Sequence, residues 1–159
     1  MITNICSIYS DTPIVQEKLL QFRHPLVDTT RTRVVADVGS LQSSLEIQLY
    51  DTKGNYLIED QPLCGEIGFP GLLLTLQPRE QKMCIESIYV KPMYRGEGLG
   101  RDFVEHLCRV ARGIHYKKIA LVADEKTNAL GYWKNVHGFY APDLEKPLVL
   151  EKRVHADIN

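Results

Sequence analysis

The segment Arg95-Gly96-Glu97-Gly98-Leu99-Gly100 carries the residue types and spacing of an anion-binding turn. Glycine reaches positive φ without steric cost, so a glycine-rich turn curls tightly and aims successive backbone N–H groups into one concavity, a nest for phosphate oxygens. An apolar run, Ile88-Tyr89-Val90, precedes the turn and an amphipathic stretch follows it. That order reads as strand, turn and helix start, and the helix adds its unpaired N–H groups and the positive end of its dipole. Arg95 and Arg101 flank the turn and offer charge-assisted hydrogen bonds. The predicted chemistry is recognition of a phosphorylated ligand.

Two common phosphate loops do not fit. A Walker A loop needs a lysine and a hydroxyl residue after its last glycine, and here Arg101-Asp102 follow Gly100. A dinucleotide fingerprint, G-x-G-x-x-G, would put its third glycine at Arg101 or Phe103, and the loop would open its domain rather than fall about ninety residues into the chain.

The elements that must position the loop follow from periodicity. Residues 2–8 read as a first strand, and Thr12-Pro13 as a helix start with Thr12 as N-cap and Pro13 at the first helical position. Ile14, Leu19, Leu20 and Phe22 would then face the core, and His24-Pro25 would end the helix. Residues 33–38 are rich in β-branched side chains. Residues 45–50 alternate Leu45, Ile47 and Leu49 with Glu46, Gln48 and Tyr50, the pattern of a half-buried strand. A turn at 51–55 returns the chain through 56–58. Residues 65–69 and 72–76 are two further apolar pieces split by Pro70-Gly71; Pro78-Arg79-Glu80 turns the chain, and residues 83–90 lead into the loop.

After the loop the period changes. Leu99, Phe103, Leu107, Val110, Ala111 and Ile114 share a helical face, and Gly113 marks the stop. Residues 119–123 form an unbroken apolar run, as in a strand covered on both faces. Residues 128–136 read as a shorter helix, Gly138-Phe139-Tyr140 as the start of a strand, and 148–154 as the last strand. The predicted class is α+β or mixed α/β, with one largely antiparallel sheet containing a parallel pair joined by a helix.

Composition narrows the partners. The 159 residues suit a single domain, residues 1–159, large enough to bury a core. The net charge of −1 gives no electrostatic case for nucleic acid or a membrane surface. Cys6, Cys64, Cys84 and Cys108 form no C-x-x-C pair and read as buried free thiols of a reducing compartment. His24, His106, His115, His137 and His155 lack partners at metal-ligand spacing, so no metal is expected. The longest nearly unbroken apolar run, about 72–76, is too short to span a bilayer. Residues 1–11 have neither a basic nor a long apolar signal-peptide region. The expectation is a cytoplasmic monomer or homodimer.

The loop matches [QR]-x-x-G-x-[GA] at each fixed position. With Ile88-Tyr89-Val90-Lys91-Pro92 before it and a helix after it, it resembles the signature of the GNAT N-acetyltransferase superfamily. Asn128-Ala129-Leu130-Gly131-Tyr132-Trp133-Lys134-Asn135-Val136-His137-Gly138-Phe139 resembles the second cofactor segment of that superfamily, in which an asparagine opens a short helix and Gly-Phe closes it. The likeness covers residues 83–154. It implies a sheet splayed between its fourth and fifth strands, with acetyl-CoA in the opening. Ile88, Tyr89 and Val90 would offer backbone groups to the pantetheine, and Arg95, Gly96, Glu97, Gly98, Leu99, Gly100 and Arg101 would wrap the pyrophosphate. Asn128 would touch the pantetheine or thioester end.

The implied reaction is direct attack of an amine, from a small molecule or a protein, on the thioester, with no covalent enzyme intermediate. A backbone N–H near Val90 would stabilise the oxyanion. Glu86, placed by period two on the side of Ile88 and Val90 unless a bulge alters it, is the candidate base; a solvated or salt-bridged glutamate is the competing reading. Tyr132 is the candidate acid for the departing thiolate. The family commonly places an aromatic four residues before the closing glycine, whereas here that position is Lys134, with Tyr132 and Trp133 just before it. An acyl-CoA-binding module without turnover is the alternative function. Acceptor specificity is expected in residues 22–80.

Overall fold

Apolar alternation in the middle of the chain becomes a set of strands whose inward positions line up across one sheet. The computed structural model describes residues 2–39, 41–59, 72–87, 89–90, 96–123 and 129–154. Its elements are α1 (Ile2–Leu20), β1 (Arg33–Val38), β2 (Ser43–Gln48), β3 (Ile58–Glu59), β4 (Leu72–Gln77), β5 (Lys82–Ser87), β6 (Tyr89–Val90), α2 (Leu99–Gly113), β7 (Lys118–Val122), α3 (Ala129–His137) and β8 (Val149–Arg153). Six strands pair in the order β1-β2-β4-β5-β7-β8, and β3 pairs with β6 in a separate ribbon. Every pair is antiparallel except β5 with β7. A parallel pair needs a crossover, and α2 lies in it. The fold is the expected α+β arrangement, a mostly antiparallel sheet with one parallel pair and helices beside it.

The register explains the core. Ala36, Leu45, Leu74, Ile85, Leu121 and Leu150 stand opposite one another in a row that crosses the whole sheet. Leu45, Leu74, Ile85, Leu121 and Leu150 are buried. Onto this side pack Val15, Leu19 and Phe22 at the end of α1 and Leu99, Phe103, Leu107, Val110 and Ala111 of α2, all buried in one cluster. Phe22 meets Phe103 edge-on at 4.9 Å, and His106 Nε2 donates to the Lys18 carbonyl at 2.8 Å. Cys108 is buried and Cys84 half-buried, both as free thiols. Residues 65–69 lie outside the described residues. Among those described, no helix is long and apolar enough to cross a membrane.

The N-terminus departs from expectation. Residues 2–8 are not a strand; they open α1, which continues through Pro13. Thr12 is therefore not an N-cap. It lies inside the helix, 2% exposed, and its hydroxyl hydrogen-bonds that of Ser43 on β2 at 2.8 Å. Ile5, Ile8, Thr12, Val15 and Leu19 recur at steps of three and four, a helical period that runs through the proline. On that register Val15 and Leu19 face in, whereas Ile14 and Leu20 are exposed. Proline costs an interior helix one backbone hydrogen bond, and here burial of the face beyond it outweighs that cost.

Two smaller corrections concern the second half. Val122, expected to be covered, is 69% exposed. Gly138-Phe139-Tyr140 contributes a single bridge, Tyr140 to Glu151, rather than a strand.

Candidate functional site

The parallel pair forks. β5 and β7 remain in register from Lys82 opposite Lys118 to Ile85 opposite Leu121, and then part. The cause is local to β5. Leu74 of β4 stands opposite Ile85, but the next β4 residue, Leu73, stands opposite Ser87. Glu86 is thus the extra residue of a β-bulge, which bends and twists its strand. The chain beyond joins β3 instead of β7, with Val90 opposite Ile58 and Tyr89 opposite Glu59. Val122, one residue past the last β5–β7 pair, is left with a β8 neighbour, Val149, and is exposed for that reason.

The bulge also changes the expected place of Glu86. Strict alternation would put it on the side of Val90, and the extra residue breaks that alternation. Glu86 is exposed at the point where the fork opens. Ile88 lies outside the described residues, and Tyr89 and Val90 are placed by their backbone pairing alone.

The glycine turn stands at the start of α2. Gly96 and Gly98 adopt φ of +88° and +76°, the left-handed region that favours glycine. Gly98 is the N-cap of α2 and accepts the Asp102 N–H at 2.9 Å. As a glycine it has no side chain to take the N–H groups of the first turn, so those donors are offered outward. A Cβ on Gly96 would meet nothing within 4 Å, whereas one on Gly98 would lie 2.9 Å from Arg101 Nη2. The Arg101 guanidinium therefore folds back over the turn while its side chain stays 58% exposed. Glu97 is exposed, Gly100 lies in the first turn, and Leu99, 1% exposed, anchors that turn in the core. Two positive-φ glycines, an uncapped helix start and an overlying arginine fit a pyrophosphate. Arg95 and Asn128 lie outside the described residues.

The turn is tied to a segment far from it in the chain. The His24 ring, 4% exposed, accepts the Leu26 N–H at Nδ1 (3.1 Å), and its Nε2 lies 2.9 Å from the Glu97 carbonyl oxygen. The two residues are 73 apart in the chain. No local signal connects them.

The helix after Asn128 sorts its three candidate side chains. Trp133 is buried and packs edge-on against Phe139 at 5.5 Å, so it belongs to the core. Lys134 is exposed. Tyr132 is partly exposed, and its hydroxyl lies 2.8 Å from Nε2 of the buried His137. Burial holds the Tyr132 phenol above its ordinary range, against the pull of Arg101. Burial holds the His137 imidazole below its own. Both groups are neutral near pH 7. Tyr132 and His137 are five residues apart, about 140° around a helix. The long phenol and the helix end bridge that angle, which is why spacing did not reveal the pair.

The same burial makes a pH prediction. His106 and His137 both have imidazoles pushed down by desolvation. The unfolded chain therefore takes up these protons first, so stability is complete above the ordinary histidine value and falls as pH drops below about 6.5. The thermal midpoint is expected to fall between pH 7.5 and 5.5. The fall should be smaller in His137→Gln, which keeps an amide at the Nε2 position. An equal fall in both proteins would show that His137 carries none of the effect.

The profile of the Acetyltransferase (GNAT) family matches residues 48–139, more than half of the chain. Among solved structures, Tetrahymena GCN5 is similar over 76% of this chain and 72% of its own, at 14% identity and a TM-score of 0.52. An acetyltransferase of GNAT family from Staphylococcus aureus Mu50 is similar over 70% and 68%, at 11% identity and a TM-score of 0.52. At such identities these likenesses concern the fold. No curated protein matches the sequence.

Proposed function

The chain belongs to the GNAT acetyltransferase family, and from that premise we propose that it transfers an acetyl group from acetyl-CoA to an amine of a small molecule or protein by direct attack. The observation that carries the proposal is the fork between β5 and β7, with a left-handed glycine turn at the start of the intervening helix. Gly96, Gly98, Leu99, Gly100 and Arg101, with Arg95 and Glu97, would hold the pyrophosphate. The backbone of Ile88, Tyr89 and Val90 and the side chain of Asn128 would hold the pantetheine arm.

When bound, acetyl-CoA supplies a thioester carbonyl open to attack. Glu86 sits on the bulge, exposed to solvent, and takes the proton of the incoming ammonium directly or through water. Tyr132 is kept as the neutral phenol by burial and supplies a proton to the leaving thiolate. A backbone N–H near Val90 would stabilise the oxyanion.

Free CoA release, followed with acetyl-CoA and a broad amine panel, tests the proposal. Turnover with at least one amine is expected, reduced by roughly a hundredfold in Glu86→Gln and Tyr132→Phe if each acts in proton transfer. Turnover undiminished in both would remove those two roles and leave the enzyme reading in place. Acetyl-CoA binding with no release across the panel would favour a module that holds acyl-CoA without turning it over. The engagement of the Tyr132 hydroxyl by His137 is the observation that speaks for this second reading.

A further inference from the structure

We infer that His24 is a positioning residue that holds the Glu97–Gly98 peptide with its carbonyl turned away from the glycine turn and its N–H turned towards the ligand. The inference rests on the reading of the turn as the pyrophosphate site and adds to it a residue from a remote part of the chain.

Leu26 donates its N–H to His24 Nδ1, which makes Nδ1 an acceptor. In the neutral ring the proton then sits on Nε2, and Nε2 donates it to the Glu97 carbonyl at 2.9 Å. The Asp102 carboxylate lies 3.8 Å from the same nitrogen, beyond hydrogen-bond reach. Among the described residues no peptide bond is cis. In a planar trans peptide the N–H points opposite to the carbonyl, so fixing the Glu97 oxygen also fixes the direction of the Gly98 N–H. The next carbonyl, that of Gly98, is held by the Asp102 N–H in the first turn of α2. Two successive carbonyls of the turn are thus held, one by a side chain and one by the helix.

This peptide needs such a restraint. Glu97 lies between two glycines, and a peptide flip rotates ψ of Glu97 and φ of Gly98. At Gly98 no Cβ opposes the rotation. The flipped turn would present a carbonyl oxygen to a phosphate and lose an N–H donor from the nest. The binding-competent fraction of the turn sets its apparent affinity, and His24 keeps that fraction high. The burial of His24 stiffens the arm. It follows Phe22, which is packed edge-on against Phe103 of the same helix α2 that the turn begins.

The conservative variants separate the two ring nitrogens. His24→Gln places an amide N–H at the Nε2 position and can still donate to Glu97. His24→Asn places its amide at the Nδ1 position and cannot reach. Titration calorimetry with acetyl-CoA is expected to give roughly tenfold weaker binding for His24→Asn and wild-type binding within about twofold for His24→Gln. S-Acetylpantetheine, which lacks the pyrophosphate, should bind all three proteins alike, and kcat at saturating acetyl-CoA should not change. Equal affinity of both variants for acetyl-CoA, or a parallel loss for S-acetylpantetheine, would overturn the inference.

A ligand-free measurement keeps this result distinct from failure of the family reading. The NOE between Glu97 Hα and the Gly98 amide proton reports ψ of Glu97, so it should match the wild type in His24→Gln and change in His24→Asn. An unchanged NOE in His24→Asn overturns the inference even if the wild-type protein binds no acetyl-CoA. A wild-type protein that binds no acetyl-CoA, with the NOE changed as expected, would overturn the function and uphold the positioning role of His24.

Discussion

Gly98→Val is expected to abolish acetyl-CoA binding in a calorimetric titration while leaving the thermal midpoint within a few degrees of the wild type. The backbone is decisive. Gly98 has φ of +76°, and an L-residue in the left-handed region costs roughly 1–2 kcal/mol, with a β-branched residue the least suited of all. The added Cβ would also crowd Arg101 Nη2 at 2.9 Å. That contact is with the flexible end of a side chain and is relieved by moving the guanidinium, which displaces it from the turn. The valine methyl groups would then stand where the backbone must approach a phosphate. Gly96→Ala is the milder control. Its φ of +88° carries the same kind of strain, but a Cβ there meets nothing within 4 Å, so binding should weaken rather than vanish. Wild-type affinity in Gly98→Val would remove the turn from the site altogether.

Phe103→Ala is expected to cost about 3–5 kcal/mol of folding stability, the usual cost of emptying a buried aromatic position. Phe103 is fully buried, belongs to the central cluster, and makes the edge-on contact with Phe22. The neighbours that would have to collapse into the void lie on α1, α2 and the sheet, and each is held in place by its own backbone hydrogen bonds. For a chain of this size the midpoint should fall by roughly 10 °C in thermal unfolding. Because Phe22 lies just before His24, acetyl-CoA binding measured well below the new midpoint should weaken as well. A stability loss under about 1 kcal/mol would contradict this account of the core.

Much of the site was legible because its signals are local. The left-handed glycines at Gly96 and Gly98 follow from residue type, and the buried face of α2 from spacing alone. The strand through Leu45, Ile47 and Leu49 shows the same, since alternation within a few residues already states which side is covered. Residues 2–8 were misread because a short apolar run carries no periodicity of its own; the helical register emerges when it is continued to Val15 and Leu19. The side that Glu86 takes stayed open in the sequence, since period two puts it with Val90 and a bulge does not. A bulge is defined by the partner strand, and nothing in residues 82–90 announces that Leu73 pairs with Ser87.

By itself, then, the sequence determined the left-handed glycines of the turn and the α+β succession of elements. These depend on backbone conformations and periodicities that neighbouring residues specify together. Only the tertiary structure decided that the opening begins at a bulge just past Ile85, that Trp133 is core while the Tyr132 hydroxyl meets His137, and that His24 reaches the turn from 73 residues away. Each of these is a pairing between groups brought together by burial and strand register, and a pairing across the fold has no signature in either partner alone.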